Sequence, residues 1–188
     1  EDDRIEESEN FTLNGLDHYR ISNELLHLEE AKFNDYFAKQ RVKGIMPRGE
    51  FAEVCAQSIR ADVLAFKEKI KDYSSPHSES VDFVVETAQG NIRLFGYMEP
   101  LFGDENQIIE WRFAKYKERY RIRPWLYYLI QLATKENALP PRIIAKDKDL
   151  TLKTIEKSTA LEKLKMYVEA YLQSQQQIQL IPTENIAK

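Results

Sequence analysis

An α/β (α+β) fold is predicted by three features of the sequence. The segment 51–73 repeats apolar residues at three- and four-residue steps, the period of a helix with one buried face. Three short strand-like runs follow, at 81–87, 92–101 and 107–113, the first rich in β-branched residues, separated by turn residues. Such a series reads as an antiparallel meander. A helical run at 125–135, a short apolar run at 142–145 and a last helical run ending near 177 complete the pattern. From residue 50 the expected order is helix, three strands, helix, strand, helix.

Each element has its own reason. Residues 1–10 are acidic and polar and are expected to form a flexible linker. Asn14-Gly15 is a turn signal. Tyr19 to Ala38 has helical spacing, with Ile21, Leu25, Leu28 and Phe33 expected inward, and forms an N-terminal helical extension. Lys43-Gly44 and Pro47-Arg48-Gly49 punctuate the chain. In the helix 51–73, Phe51, Val54, Cys55, Ile59, Val63, Phe66 and Ile70 are expected inward, and Ser74-Ser75-Pro76 ends it. Ala88 to Asn91 and Gly103 to Asn106 are the meander's turns. Pro124 suits the first turn of the next helix, and Pro140-Pro141 breaks the chain after it. Ser158 or Thr159 can cap the helix running to about Gln177, with Glu162 well placed near its start. Ile178 to Ile181 is expected as a last strand. Residues 11–188 are expected to form a single domain, its core at about 49–181.

Composition excludes several classes of protein. With 188 residues and 43% apolar content the chain can bury a core without disulfides or metals. Cys55 is its one cysteine, so no internal disulfide is possible, which suits a reducing compartment. No apolar run approaches the roughly 18 to 20 residues that span a bilayer. The acidic N-terminus lacks the apolar stretch of a signal peptide. A cytoplasmic location with no membrane partner is expected. Because residue 1 is Glu, the chain is expected to be a piece of a longer protein. A net charge of -4 argues against wholesale electrostatic capture of nucleic acid, although a local basic patch exists.

The sequence contains no phosphate loop, zinc-ligand pattern or nucleophile elbow. His18, His27 and His77 are scattered and read as structural or exposed, and Cys55 reads as a small core hydrophobe. Two clusters carry chemistry. In residues 112–123, Arg112, Lys115, Lys117, Arg119, Arg121 and Arg123 alternate with aromatic residues. This segment can contact phosphates and stack on bases, pack against an acidic protein, or simply be a solvated connection. The second cluster is Glu99 with Glu110-Trp111-Arg112. Adjacent antiparallel strands can bring Glu99 and Glu110 together, and two carboxylates with a cation on such a meander is the layout of a magnesium nuclease. The plainer reading is two exposed strand glutamates, and spacing alone does not choose between them.

Phe11-Thr12-Leu13-Asn14-Gly15-Leu16-Asp17-His18-Tyr19 resembles the segment that opens the C-terminal domain of the RecC-type gamma chain of exodeoxyribonuclease V. Pro47 to Glu53 is similar to the start of that domain's first nuclease-like helix, and Ile109 to Arg112 to its third core strand. Leu161-Glu162 and Leu180-Ile181-Pro182 extend the resemblance over nearly the whole chain, and the family's chains continue past the position of Lys188. The resemblance implies a part in a complex that repairs double-strand breaks by recombination. Its helicase and nuclease activities sit mainly on the beta and alpha chains. The gamma chain clamps the complex, splits the duplex and helps recognise a regulatory sequence. For this domain the resemblance implies a restriction-endonuclease-like αβββαβ core, a mixed central sheet flanked by helices, and no working nuclease site. The implied partners are the alpha and beta chains, with double-stranded or unwound DNA reached through the complex, and a hold on the alpha chain in particular.

The resemblance also places a degenerate site at Glu53, Glu99, Glu110 and Arg112. Active relatives have a helix histidine where this chain has Glu53, and a metal-binding aspartate where it has Glu99. They have Asp-x-Lys where it has Glu110-Trp111-Arg112. Arginine stays protonated and cannot replace that lysine. No cofactor is expected in this domain. Mg2+ enters only under the alternative of a divergent nuclease using Glu99 and Glu110. A further alternative is a DNA-binding surface at 112–123. Arg112, Lys115, Lys117, Arg119, Arg121 and Arg123 are thus candidates for DNA or partner contact.

Overall fold

The computed structural model describes residues 13–135 and 137–175. These fall into two compact units, one ending at Lys71 and the other beginning at Asp72. The expected linker at 1–10, the strand at 178–181 and the motif at 180–182 lie outside the described residues.

The first unit is helical: α1 (Gly15–Leu26), α2 (Phe33–Val42) and α3 (Gly49–Ile70). Asn14 is the N-cap of α1 rather than a turn residue. Its side-chain oxygen accepts from the Asp17 backbone N–H at 2.8 Å, satisfying one of the orphan donors of a helix start. The single helix expected over 19–38 is two helices. In one continuous helix Phe33 would stand about 80° around the axis from Leu25. The break between His27 and Glu29 lets both side chains be fully buried, together with Ile21. The Leu28 carbonyl freed there accepts from the Lys67 ammonium, which also lies 5.2 Å from the centre of the Phe33 ring.

The α3 helix forms where expected but buries a different stripe. Ala52, Ala56, Ile59, Val63 and Phe66 face inward, at steps of four and three. Phe51 and Val54, expected inward, are 53% and 65% exposed, and Cys55 is only half-buried. The small alanines take the buried stripe's first two turns.

The second unit is a mixed α/β layer. The strands β1 (His77–Thr87) and β2 (Gly90–Phe102) pair antiparallel from Thr87–Gly90 back to Glu79–Met98. Gly90 closes the hairpin with φ +117°, a conformation open to glycine and costly for other residues. Successive side chains alternate between faces. Val81 and Val85 are therefore buried, while Val84, Phe95 and Tyr97 are exposed on the opposite face. The strand β3 (Gln107–Arg112) pairs with β2 only at Leu101–Ile108 and Phe102–Gln107. The next residue along β2 is Pro100, which has no N–H to donate.

After β3 the chain forms α4 (Ile122–Thr134) and returns as β4 (Arg142–Ala145), parallel to β3. A three-residue β5 (Asp149–Thr151) adds antiparallel to β4, giving the order β1-β2-β3-β4-β5, and α5 (Lys157–Ser174) follows. In β4, Ile143, Ile144 and Ala145 are all fully buried, as suits an interior strand covered on both faces. Trp125, Tyr128 and Leu129 of α4 join Ala160, Leu164 and Val168 of α5 in one core with Met98, Leu101, Ile108 and Ile143 of the sheet.

The α–β–β–β–α–β order read from residue 50 is thus observed, in a mixed sheet flanked by helices. The three-residue strand β5 carries no mark in the sequence pattern. The α5 helix starts at Lys157 with Glu156 in the N-cap position and no side-chain cap, so Ser158 and Thr159 belong to its first turn.

Candidate functional site

Glu110 sits on β3 between β2 and β4, so the sheet carries its carboxylate into the interior, where it is 4% exposed. A buried carboxylate is costly unless it is paired and hydrogen-bonded. Both of its oxygens are engaged. Oε1 accepts from Arg112 Nε at 2.8 Å, and Oε2 accepts from Arg123 Nε at 3.0 Å and also from Arg123 Nη2. Arg112 reaches Glu110 because residues two apart share a face of a strand. Arg123 reaches it from the first turn of α4. The two arginine side chains are about half exposed, at 50% and 49%. They form a cationic lid over one buried anion.

Glu99 is exposed and stands before Pro100 on β2. Extending the β2–β3 register two residues past Leu101–Ile108 puts Glu99 opposite Glu110, but the ladder has ended there. Glu99 lines an open depression with His77, Ser78, Pro100 and Arg123. Arg123 therefore both walls this depression and holds Glu110.

This arrangement does not fit Mg2+. A magnesium site needs oxygen ligands at near-octahedral geometry, commonly one or two carboxylates with waters and substrate phosphates. Here the Glu110 oxygens are taken by guanidinium donors, and Arg123 places a fixed positive charge in the depression that Glu99 lines. Among the described residues no group of three or more His, Cys, Asp or Glu side chains could hold a metal ion.

Glu53 belongs to the first unit. It lies on the exposed side of α3 and accepts from Arg41 Nη2 at 2.9 Å and from Gln57 Nε2 at 3.3 Å. The Arg41 hydrogen bond, then that of Gln57, holds its carboxyl below the usual carboxylate range.

The cationic segment after β3 has a defined structure. Tyr116 donates its backbone N–H to Asp147 Oδ1 at 2.7 Å, and Lys146 donates its own to the Ala114 carbonyl at 3.0 Å. These bonds lock the segment to the β4–β5 turn. They bring in two cations the linear pattern did not indicate, Lys146 and Lys148. The parallel pairing of Arg112 with Ala145 is the signal that would have found them, since it sets side by side the residues that follow each strand. Lys148 lies 4.3 Å from the centre of the Tyr116 ring, and Arg121 lies 5.7 Å from it. Arg112 and Arg119 lie 5.5 and 5.8 Å from the centre of the Tyr120 ring. Arg121 pairs with Glu118 at 3.0 Å. Lys115, Lys117, Arg119 and Lys148 have no carboxylate partner among the described residues.

The second unit thus defines a class: a mixed α/β domain with a caged carboxylate on its third strand and a cationic surface beside it. The match to the model of the RecC C-terminal domain runs over residues 1–188, and the chain belongs to that family. The chain is 54% identical over 97% of its length to the RecBCD enzyme subunit RecC of Haemophilus influenzae, covering 17% of that protein. It is 22% identical over 91% of its length to the RecBCD enzyme subunit RecC of Escherichia coli, covering 15% of it. The chain therefore spans about a sixth of the length of these relatives. No helix among the described residues is long and apolar enough to cross a membrane.

Proposed function

We propose that this chain is a non-catalytic, nuclease-like domain of the gamma subunit of exodeoxyribonuclease V, acting in subunit assembly and DNA handling during repair by recombination. The observation that carries this reading is the engagement of both Glu110 oxygens by Arg112 and Arg123. A carboxylate bound to two permanent cations is poorly suited to recruit a third charge in the form of a metal. The restriction-endonuclease-like assignment is supported by the α–β–β–β–α–β order and by the parallel return of β4 beside β3. Membership of the RecC family supports assembly with the alpha and beta chains, and the alpha chain is the contact that the resemblance implies for this domain.

A pull-down tests the assembly claim. The intact 188-residue chain, immobilised, is expected to retain the purified alpha chain. An alpha chain that passes through unretained, while the immobilised chain remains folded by circular dichroism, would count against this role.

A further inference from the structure

We infer that Lys115, Lys117 and Arg119, joined by Lys148 from the β4–β5 turn, form a docking track for the phosphodiester backbone of a single nucleic-acid strand. This deepens the proposed function by assigning its DNA handling to one surface, and rests on that reading. Four observations carry it.

The first is charge. Residues 110–123 and 146–148 contain eight cations and three carboxylates, in a chain whose overall net charge is -4. The remainder carries a net negative charge, so these two segments stand out as a local positive excess. The second is where the three carboxylates go. Glu110 is held by Arg112 and Arg123, Glu118 by Arg121, and Asp147 by the Tyr116 backbone N–H. The cations left without a carboxylate are those facing solvent: Lys115, Lys117, Arg119 and Lys148 are all exposed. A phosphate arriving there replaces no internal ion pair.

The third is spacing. Lys115, Lys117 and Arg119 recur every second residue, and the backbone is non-helical through Lys117, which is itself extended. Two extended residues advance about 6.6 Å, comparable with the step between successive phosphates of a strand. The fourth is preorganisation. The bonds from Tyr116 to Asp147 and from Lys146 to Ala114 fix the segment against the turn, and the Lys148 ammonium is aligned over the Tyr116 ring.

The track also bends. It passes from an extended stretch into the short 3-10 turn Glu118–Arg121, with Lys148 joining from another strand connection. A flexible single strand can follow a bend of this size. A duplex, with a persistence length of about 150 base pairs, follows such a path only at a cost in bending energy. The contacts would be to phosphates and independent of sequence.

The experiment uses the intact chain and three fluorescent probes: a 20-mer of oligothymidylate, a duplex of the same length, and a polyglutamate peptide of matched charge. Anisotropy is read from 50 to 200 mM salt. Oligothymidylate is expected to bind most tightly. With four phosphates contacted, its affinity should fall about 50-fold over that range. The triple reversal Lys115→Glu, Lys117→Glu, Lys148→Glu touches only exposed side chains and should abolish binding with an unchanged melting temperature. Tighter binding of the duplex would overturn the single-strand assignment. Tighter binding of polyglutamate would reassign the surface to an acidic protein. Absence of oligothymidylate binding by the folded wild-type chain would overturn the inference outright, whereas loss of alpha-chain retention would instead strike the assembly reading on which it rests.

Discussion

Replacing Arg112 and Arg123 together by alanine is expected to cost about 3 kcal/mol of stability, a fall in melting temperature of about 6–12 °C for a chain of this size. The cost arises because the Glu110 carboxyl, 4% exposed, would be left buried with no partner. Breaking a buried pair from one side typically costs 3–5 kcal/mol. The lower end applies because the arginines are half exposed and water partly screens the interaction. Arg123 donates twice and Arg112 once, so Arg123→Ala alone should be the more damaging single change. Removal from the other side behaves differently. Glu110→Met discharges the interior and leaves two arginines that water can solvate, so it should cost under about 1.5 kcal/mol. Thermal melts of the four variants check this asymmetry. A Glu110→Met variant less stable than the double arginine variant would contradict the caged-anion account.

Trp125→Ala is expected to cost about 4 kcal/mol, a fall of roughly 8–16 °C. Trp125 is 3% exposed and packs its ring against Tyr128 at 6.1 Å between centroids, in the layer that joins α4 to the sheet and α5. Its indole N–H has no hydrogen-bond partner among the described residues, so packing alone is lost. Trp125→Phe should therefore be far milder, and an equal loss in both variants would show that an unseen polar contact matters. Because Arg123 lies two residues before Trp125 on α4, the tilt that follows Trp125→Ala should also loosen the hold on Glu110. The combined variant Arg112→Ala, Arg123→Ala, Trp125→Ala is then expected to lose less than the sum of its parts, as is usual for groups sharing one element.

Much of the fold is legible in the sequence, for reasons that differ by element. The meander is marked by the β-branched run at 81–87 and by turns that need glycine, as at Gly90. The α3 helix is legible in its period but not in its face. Phe51 and Val54 continue an apolar pattern, yet Ala52 and Ala56 take the buried stripe, a choice made by tertiary packing that the period alone does not encode. The break at His27 is invisible for a similar reason, since it exists to bury Phe33 beside Leu25. Three residues are too few for β5 to show any period. At the site, Glu110 and Arg112 declare themselves as neighbours on one strand face. Arg123 does not, because its reach depends on α4 beginning at Ile122. Lys146 and Lys148 depend on the parallel pairing of β3 with β4, which no local pattern encodes.

The caged carboxylate is the centre of this account, and a cleavage assay tests it most directly. The intact chain is incubated with end-labelled single- and double-stranded DNA in magnesium and, separately, in manganese. The expected result is no cleavage by the wild type, nor by Glu110→Ala or Glu99→Ala. Metal-dependent cleavage by the wild type that disappears in Glu110→Ala would show that Glu110 is free to bind a metal, and would contradict the account.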